Sequence, residues 1–168
     1  MGTKRVYLDT SVLIAEFNRK DKWHKHVTKF FNEVRILENI ELCSSQWALT
    51  ELYNRLTKDQ IEALKIERFI NELLAKGTIR NIKLKIIDVS PRDAYDFNYF
   101  FHDLKRDLII YKTGKDRPGL GDIFHIRIMK NNKVNTVISF DAHFEKIKGL
   151  TLLNPSTTKI NSEPTIEL

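Results

Sequence analysis

The chain has 168 residues, with 28 Lys and Arg against 22 Asp and Glu, a net charge of +6 and a sequence pI of about 9.4. With 42% hydrophobic and 30% charged residues, and only 6 Gly and 4 Pro, it is neither collagen-like, low-complexity nor largely disordered, and its length suits one domain with a real core. Cys43 is the only cysteine, which excludes an internal disulfide and zinc sites built on paired cysteines; no apolar run nears the ~18 residues of a membrane span, so a cytoplasmic protein with no membrane partner is expected.

Arg5-Val6-Tyr7-Leu8-Asp9 reads as a β-strand that delivers a polar turn, Asp9-Thr10-Ser11, and a helix follows over residues 12–17. Over residues 22–37, Val27, Phe30, Phe31, Val34 and Leu37 recur at spacings of three and four, one face of an amphipathic helix. Residues 40–43 form a second strand candidate, after which Ser44 or Ser45 can cap a helix carrying Trp47, Leu49, Leu52, Tyr53 and Leu56. Asp59 is expected to cap a helix over residues 60–75, and Gly77 to stop it. Residues 84–89 read as a third strand, and Ser90-Pro91-Arg92-Asp93 as the start of a helix running through the aromatic stretch 95–101. Beyond a basic loop at 112–121, a helix begins near Asp122 and ends near Asn131. Residues 134–140 form a strand that ends on Asp141, followed by a short helix over 144–147 and a last strand at 150–153. Strands separated by helices throughout predict an α/β fold, a mostly parallel sheet of about five strands with helices on both faces. The domain is expected over residues 1–153, with a polar tail at 154–168.

In such a sheet the working crevice lies at the carboxyl ends of the strands. Asp9 and Asp141 both follow a strand directly, Asp122 opens a helix, and Glu51 lies about two turns into the helix after the second strand. Each residue alone has an ordinary use as a turn, cap or solvated side chain. Together, four carboxylates at one edge would repel unless protons or cations neutralised them, and hard oxygen donors of this kind suit Mg2+ or Mn2+.

Four segments carry a resemblance: residues 6–14 around Asp9, the helix segment 45–52 with Glu51, Gly121-Asp122, and Val137-Ile138-Ser139-Phe140-Asp141-Ala142-His143-Phe144. In order and spacing they resemble the acidic motifs of PIN-domain nucleases, in particular the VapC-like toxin branch, over roughly residues 4–153. The resemblance implies a three-layer α/β/α sandwich and a Mg2+- or Mn2+-dependent endoribonuclease with Asp9, Glu51, Asp122 and Asp141 as its acidic residues, Ser11 and Ser139 supporting them. It also implies an RNA substrate, a protein antitoxin and a homodimer. A housekeeping PIN nuclease acting on ribosomal or transfer RNA precursors would carry the same residues, and a non-catalytic RNA- or protein-binding PIN-like module is a third reading that metal-dependent cleavage would separate.

Basic residues around the acids are needed to hold a polyanion, and Arg117, five residues before Asp122, and Lys115 are the candidates for phosphate contacts. The five histidines show no metal-ligand spacing, and His125, one turn after Asp122, is expected on the surface. Cys43 is expected to act as a small buried hydrophobe. Rival phosphate chemistries fail on single positions: Thr113-Gly114-Lys115 lacks the preceding glycine of a P-loop, and Phe124 stands where a dinucleotide fingerprint begun at Gly119 needs Gly.

Overall fold

The computed structural model describes residues 3–35, 39–89 and 119–158. The expected helix from Ser90, the basic loop with Lys115 and Arg117, and most of the polar tail lie outside the described residues.

Strand β1 (Lys4–Leu8) leads into α1 (Thr10–Phe17) and α2 (His24–Val34). Strand β2 (Ile40–Ser45) leads into α3 (Gln46–Lys58) and α4 (Ala63–Lys76). The hairpin β3 (Thr78–Ile79) and β4 (Ile82–Ile87) follows, then α5 (Leu120–Asn131), β5 (Thr136–Ile138), a 3-10 helix (Ala142–Lys146) and β6 (Thr151–Leu153). The sheet runs β3-β4-β2-β1-β5-β6, parallel throughout except for β3 against β4.

The expected mostly parallel α/β architecture is present, with six strands rather than about five. The extra strand is β3, whose two residues are too short for a period-2 signal. Its turn is Arg80-Asn81, both at positive φ (48° and 66°), the geometry of a two-residue hairpin whose twist matches the flanking strands. Arg80 ties that turn to two helices, donating from Nε to Glu16 Oε1 at 2.7 Å and from Nη2 to Thr28 Oγ1 at 3.0 Å.

A second departure concerns Asp59, which closes α3 as its C-cap instead of opening the next helix. Gln60 at φ 61° breaks the chain there, and α4 starts only at Ala63 with no side-chain cap bond. Gly77 stops α4 as expected, in the left-handed conformation at φ 57° that a side chain would strain. The strand expected over 134–140 is confined to Thr136–Ile138; Ser139 still donates its N–H to Leu153 O at 3.3 Å, while its hydroxyl belongs to the site described below.

Side chains alternate across the sheet. Val6, Leu8, Leu42 and Ile138 pack beneath α1 to α4, with Val12, Phe30, Leu52 and Ile66. Tyr7, Cys43 and Val137 point the other way, against Ile123, Ile126 and Met129 of α5 and Phe144 of the 3-10 helix. Helices therefore cover both faces of β1 and β5, and the turns that leave these strands are set between two packed layers. Cys43 is fully buried, as expected, with its thiol pushed up to about 12, chiefly by burial.

Candidate active site

Asp9 follows β1 directly and is the N-cap of α1, its extended backbone (φ −72°, ψ 158°) turning the carboxylate back over the helix start. One oxygen, Oδ2, accepts from the Ser11 hydroxyl at 2.6 Å, the Ser139 hydroxyl at 2.7 Å and the Ser11 N–H at 3.3 Å. The other, Oδ1, lies 3.4 Å from His125 Nε2. Ser139 links the ends of two neighbouring strands, since its Oγ also accepts the Asp141 N–H at 2.9 Å. Ser11 likewise accepts the Phe140 N–H at 3.3 Å. Both serines thus hold Asp9 and the β5 turn in one arrangement.

Asp122 sits in the first turn of α5, where its Oδ2 accepts the Gly119 N–H at 2.8 Å. Asp141 caps the 3-10 helix, its Oδ1 accepting the His143 N–H at 2.8 Å. That turn brings the His143 ring back, with Nδ1 2.9 Å from Asp141 Oδ1 and 4.0 Å from Asp122 Oδ2. One ligand atom from each of Asp122, Asp141 and His143 falls within 4.8 Å of the other two. Burial pushes the Asp122 carboxyl up, and the charges of Asp141 and Asp9 add to this against the Gly119 hydrogen bond.

Glu51 projects from α3 with Oε2 accepting from the Thr10 hydroxyl at 2.8 Å and contacting His125 Nε2 at 2.8 Å. Its Oε1 lies against Gly121, where a Cβ would run into it. Burial alone would raise the Glu51 carboxyl, but the bond and charge of His125 and the Thr10 hydroxyl outweigh it and hold the group below its ordinary value.

His125 is the correction to the sequence reading: it is 1% exposed rather than on the surface. Nε2 faces only carboxylates and the Thr10 oxygen, so it carries a proton. Nδ1 meets the Tyr7 hydroxyl at 2.8 Å, and that hydroxyl meets Ser45 Oγ at 2.6 Å. Ser45 in turn caps α3 by accepting the Ala48 N–H at 3.1 Å. Thr10, Tyr7 and His143 also enter the site without having been singled out. The visible signals were His125 one turn past Asp122 and His143 two residues past Asp141; the role of Tyr7 depends on the face of β1 it occupies, which the apolar run Val6-Tyr7-Leu8 does not disclose.

The four predicted acids therefore form two adjoining groups at the carboxyl edge of β1, β2 and β5: Asp122 with Asp141 and His143, and Asp9 with Glu51 about His125. The charge of Asp9 acts on Asp122 and that of Asp122 on His125, so the groups share one electrostatic environment. No helix among the described residues is long and apolar enough to cross a membrane.

No curated protein matches the chain. Solved structures do. VapBC2 from Rickettsia felis, bound to a DNA fragment from their promoter, is 17% identical and covers 89% of this chain and 98% of its own, with a TM-score of 0.61. Mycobacterium tuberculosis VapC20, a sarcin-ricin loop cleaving toxin, is 14% identical with a TM-score of 0.58 and covers 82% of this chain and 90% of its own. FitAcB from Neisseria gonorrhoeae is 18% identical with a TM-score of 0.57, covering 91% of this chain and 99% of its own. At these identities the likeness is one of fold. The PIN domain family model matches residues 6–150, taking in all four acidic residues and both supporting serines, and the chain belongs to the PIN-domain family.

Proposed function

We propose that this chain is a divalent-metal-dependent endoribonuclease and the toxin of a VapBC-like toxin–antitoxin pair, its nuclease domain spanning residues 1–153. The observation that carries the reading is the gathering of Asp9, Asp122 and Asp141 at the ends of adjacent strands and the facing helix start, each carboxylate already oriented by N–H or hydroxyl donors. A carboxylate raised chiefly by burial, with the charges of Asp141 and Asp9 adding to it, fits a bound cation, and the oxygens of this group suit Mg2+ or Mn2+. Asp9, Asp122 and Asp141 would hold the ion, with Glu51 at its margin. When bound, the ion supplies charge stabilisation to the phosphodiester and lowers the pKa of a water.

The chain's own groups do the rest. Ser11 and Ser139 occupy Asp9 Oδ2 and leave Oδ1 free of hydroxyl donors. Glu51, held ionised, offers Oε1 as the acceptor that orients the attacking water; its lowered proton affinity makes it a poor proton abstractor and a good anchor. Arg117 and Lys115 would contact the RNA backbone, consistent with the net charge of +6. The likeness to VapC20, a toxin that cleaves the sarcin-ricin loop, supports RNA as the substrate, and the VapBC and FitAB assemblies among the similar structures support a protein antitoxin. A homodimer in the cytoplasm completes the proposal.

The test is incubation of the purified chain with RNA in Mg2+ or Mn2+ and in EDTA, beside Asp9→Asn. Cleavage that needs the metal and is lost in a folded Asp9→Asn supports the reading; equal cleavage by both proteins, or none by either, overturns it. Growth arrest on expression, relieved by a small neighbouring gene product, tests the toxin assignment.

A further inference from the structure

We propose that His143 is a nitrogen ligand of the divalent-ion site, so that the site binds Mn2+ in preference to Mg2+. This rests on the metal-site reading above and goes beyond an all-carboxylate centre. Three observations meet at this residue.

The first is geometry. About an octahedral ion with bonds of ~2.1 Å, neighbouring ligands lie ~3.0 Å apart and opposite ones ~4.2 Å. His143 Nδ1 stands 2.9 Å from Asp141 Oδ1 and 4.0 Å from Asp122 Oδ2, and the three residues each offer an atom within 4.8 Å of the others. The separations already match donors of one ion, with no backbone shift required.

The second is rigidity. The His143 N–H is bonded to the Asp141 carboxylate it neighbours, and the next residue, Phe144, is 1% exposed in the core beneath α5. The imidazole is thus carried on a turn fixed at both ends, while its side chain and those of Asp122 and Asp141 keep 32%, 23% and 36% exposure.

The third is donor chemistry. Mg2+ favours oxygen ligands alone, whereas Mn2+, though it too favours oxygen donors, is a first-row transition ion and accepts an imidazole nitrogen more readily than Mg2+ does. Replacing one oxygen by nitrogen therefore shifts the preference toward Mn2+.

Pulsed electron paramagnetic resonance of Mn2+ bound to the full chain reads this directly, because a coordinated imidazole imprints nitrogen-14 modulation on the electron spin echo. The wild type should show that modulation, and selective nitrogen-15 labelling of histidine should replace it with the nitrogen-15 pattern. His143→Gln should lose it, together with about tenfold or more of the Mn2+ over Mg2+ preference measured by calorimetry. His125→Gln should keep the modulation. His143→Asp, which returns an oxygen donor, should bind Mg2+ at least as well as the wild type without nitrogen coupling, and serves as the second variant if the glutamine form does not fold. Bound Mn2+ without nitrogen coupling, or coupling that survives in a His143 variant, overturns this proposal while leaving the metal site standing. Absence of Mn2+ binding overturns the metal site and this proposal together.

Discussion

The Tyr7 hydroxyl of β1 and Nδ1 of His125 in α5 are 2.8 Å apart in the core, and this bond closes a circuit. His125 contacts Glu51 of α3, and Tyr7 contacts Ser45, the cap of that same helix. With neutral His125 the protons run one way: Ser45 to Tyr7, Tyr7 to Nδ1, Nε2 to Glu51. Removing the Tyr7 hydroxyl leaves Nδ1 buried without its donor. Tyr7→Phe should cost about 1–3 kcal/mol, the penalty of an unsatisfied buried polar group, read by urea unfolding, and should also weaken cleavage because Glu51 loses its firm partner. Full stability together with full activity would show that the circuit holds nothing in place.

His125 also sets a pH dependence in the metal-free protein. Burial alone would lower its proton affinity, but the Glu51 bond and the charges of Asp9, Glu51 and Asp122 raise it above 6.5. A raised folded value means that its stabilising contribution is complete below 6.5 and is lost as pH climbs through the folded value. Glu51 is lowered from 4.5, so its contribution is present above 4.5 and is lost as pH falls through its folded value. The pair should therefore contribute most between about pH 4.5 and 6.5. In EDTA, the gap in melting temperature between wild type and His125→Gln should be widest in that window and narrow toward alkaline pH. A gap that widens steadily above pH 7 would contradict the assignment.

Much of the architecture was legible because its signals are local. The Asp9 turn, the Ser45 cap and the Gly77 stop each depend on the chemistry of one or two residues, and all three stand where the sequence puts them. Asp59 misled because an acid between two helices can end one or begin the other, and only the left-handed Gln60 decides which. His125 misled for a different reason. A histidine is exposed or buried according to what surrounds it, and its partners Tyr7, Thr10 and Glu51 come from three other elements far away in sequence. Motif order picked out the four acids and the two serines bonded to Asp9, whereas the places of Tyr7, Thr10, His125 and His143 had to await the sheet register.

Gly121 allows fold and function to be separated. It lies in the first turn of α5, where an alanine Cβ would run into Glu51 Oε1. Because Oε2 is held by Thr10 and His125, the carboxylate can give way only by leaving those partners. Alanine is the better helix former by up to ~1 kcal/mol, which offsets part of that loss. Gly121→Ala should therefore melt within a few degrees of wild type while cleavage falls about a hundredfold, the scale expected when a reacting group is displaced by about an ångström. Unchanged cleavage would remove Glu51 from the catalytic group.

Asp122 offers the sharpest opposition between stability and function. Burial raises its carboxyl above the ordinary 3.8, with Asp141 and Asp9 contributing in the same direction. An acid whose folded value is raised destabilises the fold once ionised: the penalty is absent below 3.8 and grows as pH rises through the folded value. Asn at this position removes the charge yet keeps an oxygen to accept the Gly119 N–H that begins α5. Asp122→Asn should therefore melt higher than wild type in EDTA at pH 7, with the advantage vanishing near pH 3.5. Adding Mn2+ or Mg2+ should raise the wild type and leave the variant nearly unmoved, because binding to the folded state stabilises in proportion to affinity. Cleavage by the variant should be lost despite its firmer fold. If instead Asp122→Asn melts lower than wild type in EDTA, the ionised carboxylate does not burden the fold and the case for a cation that relieves it fails.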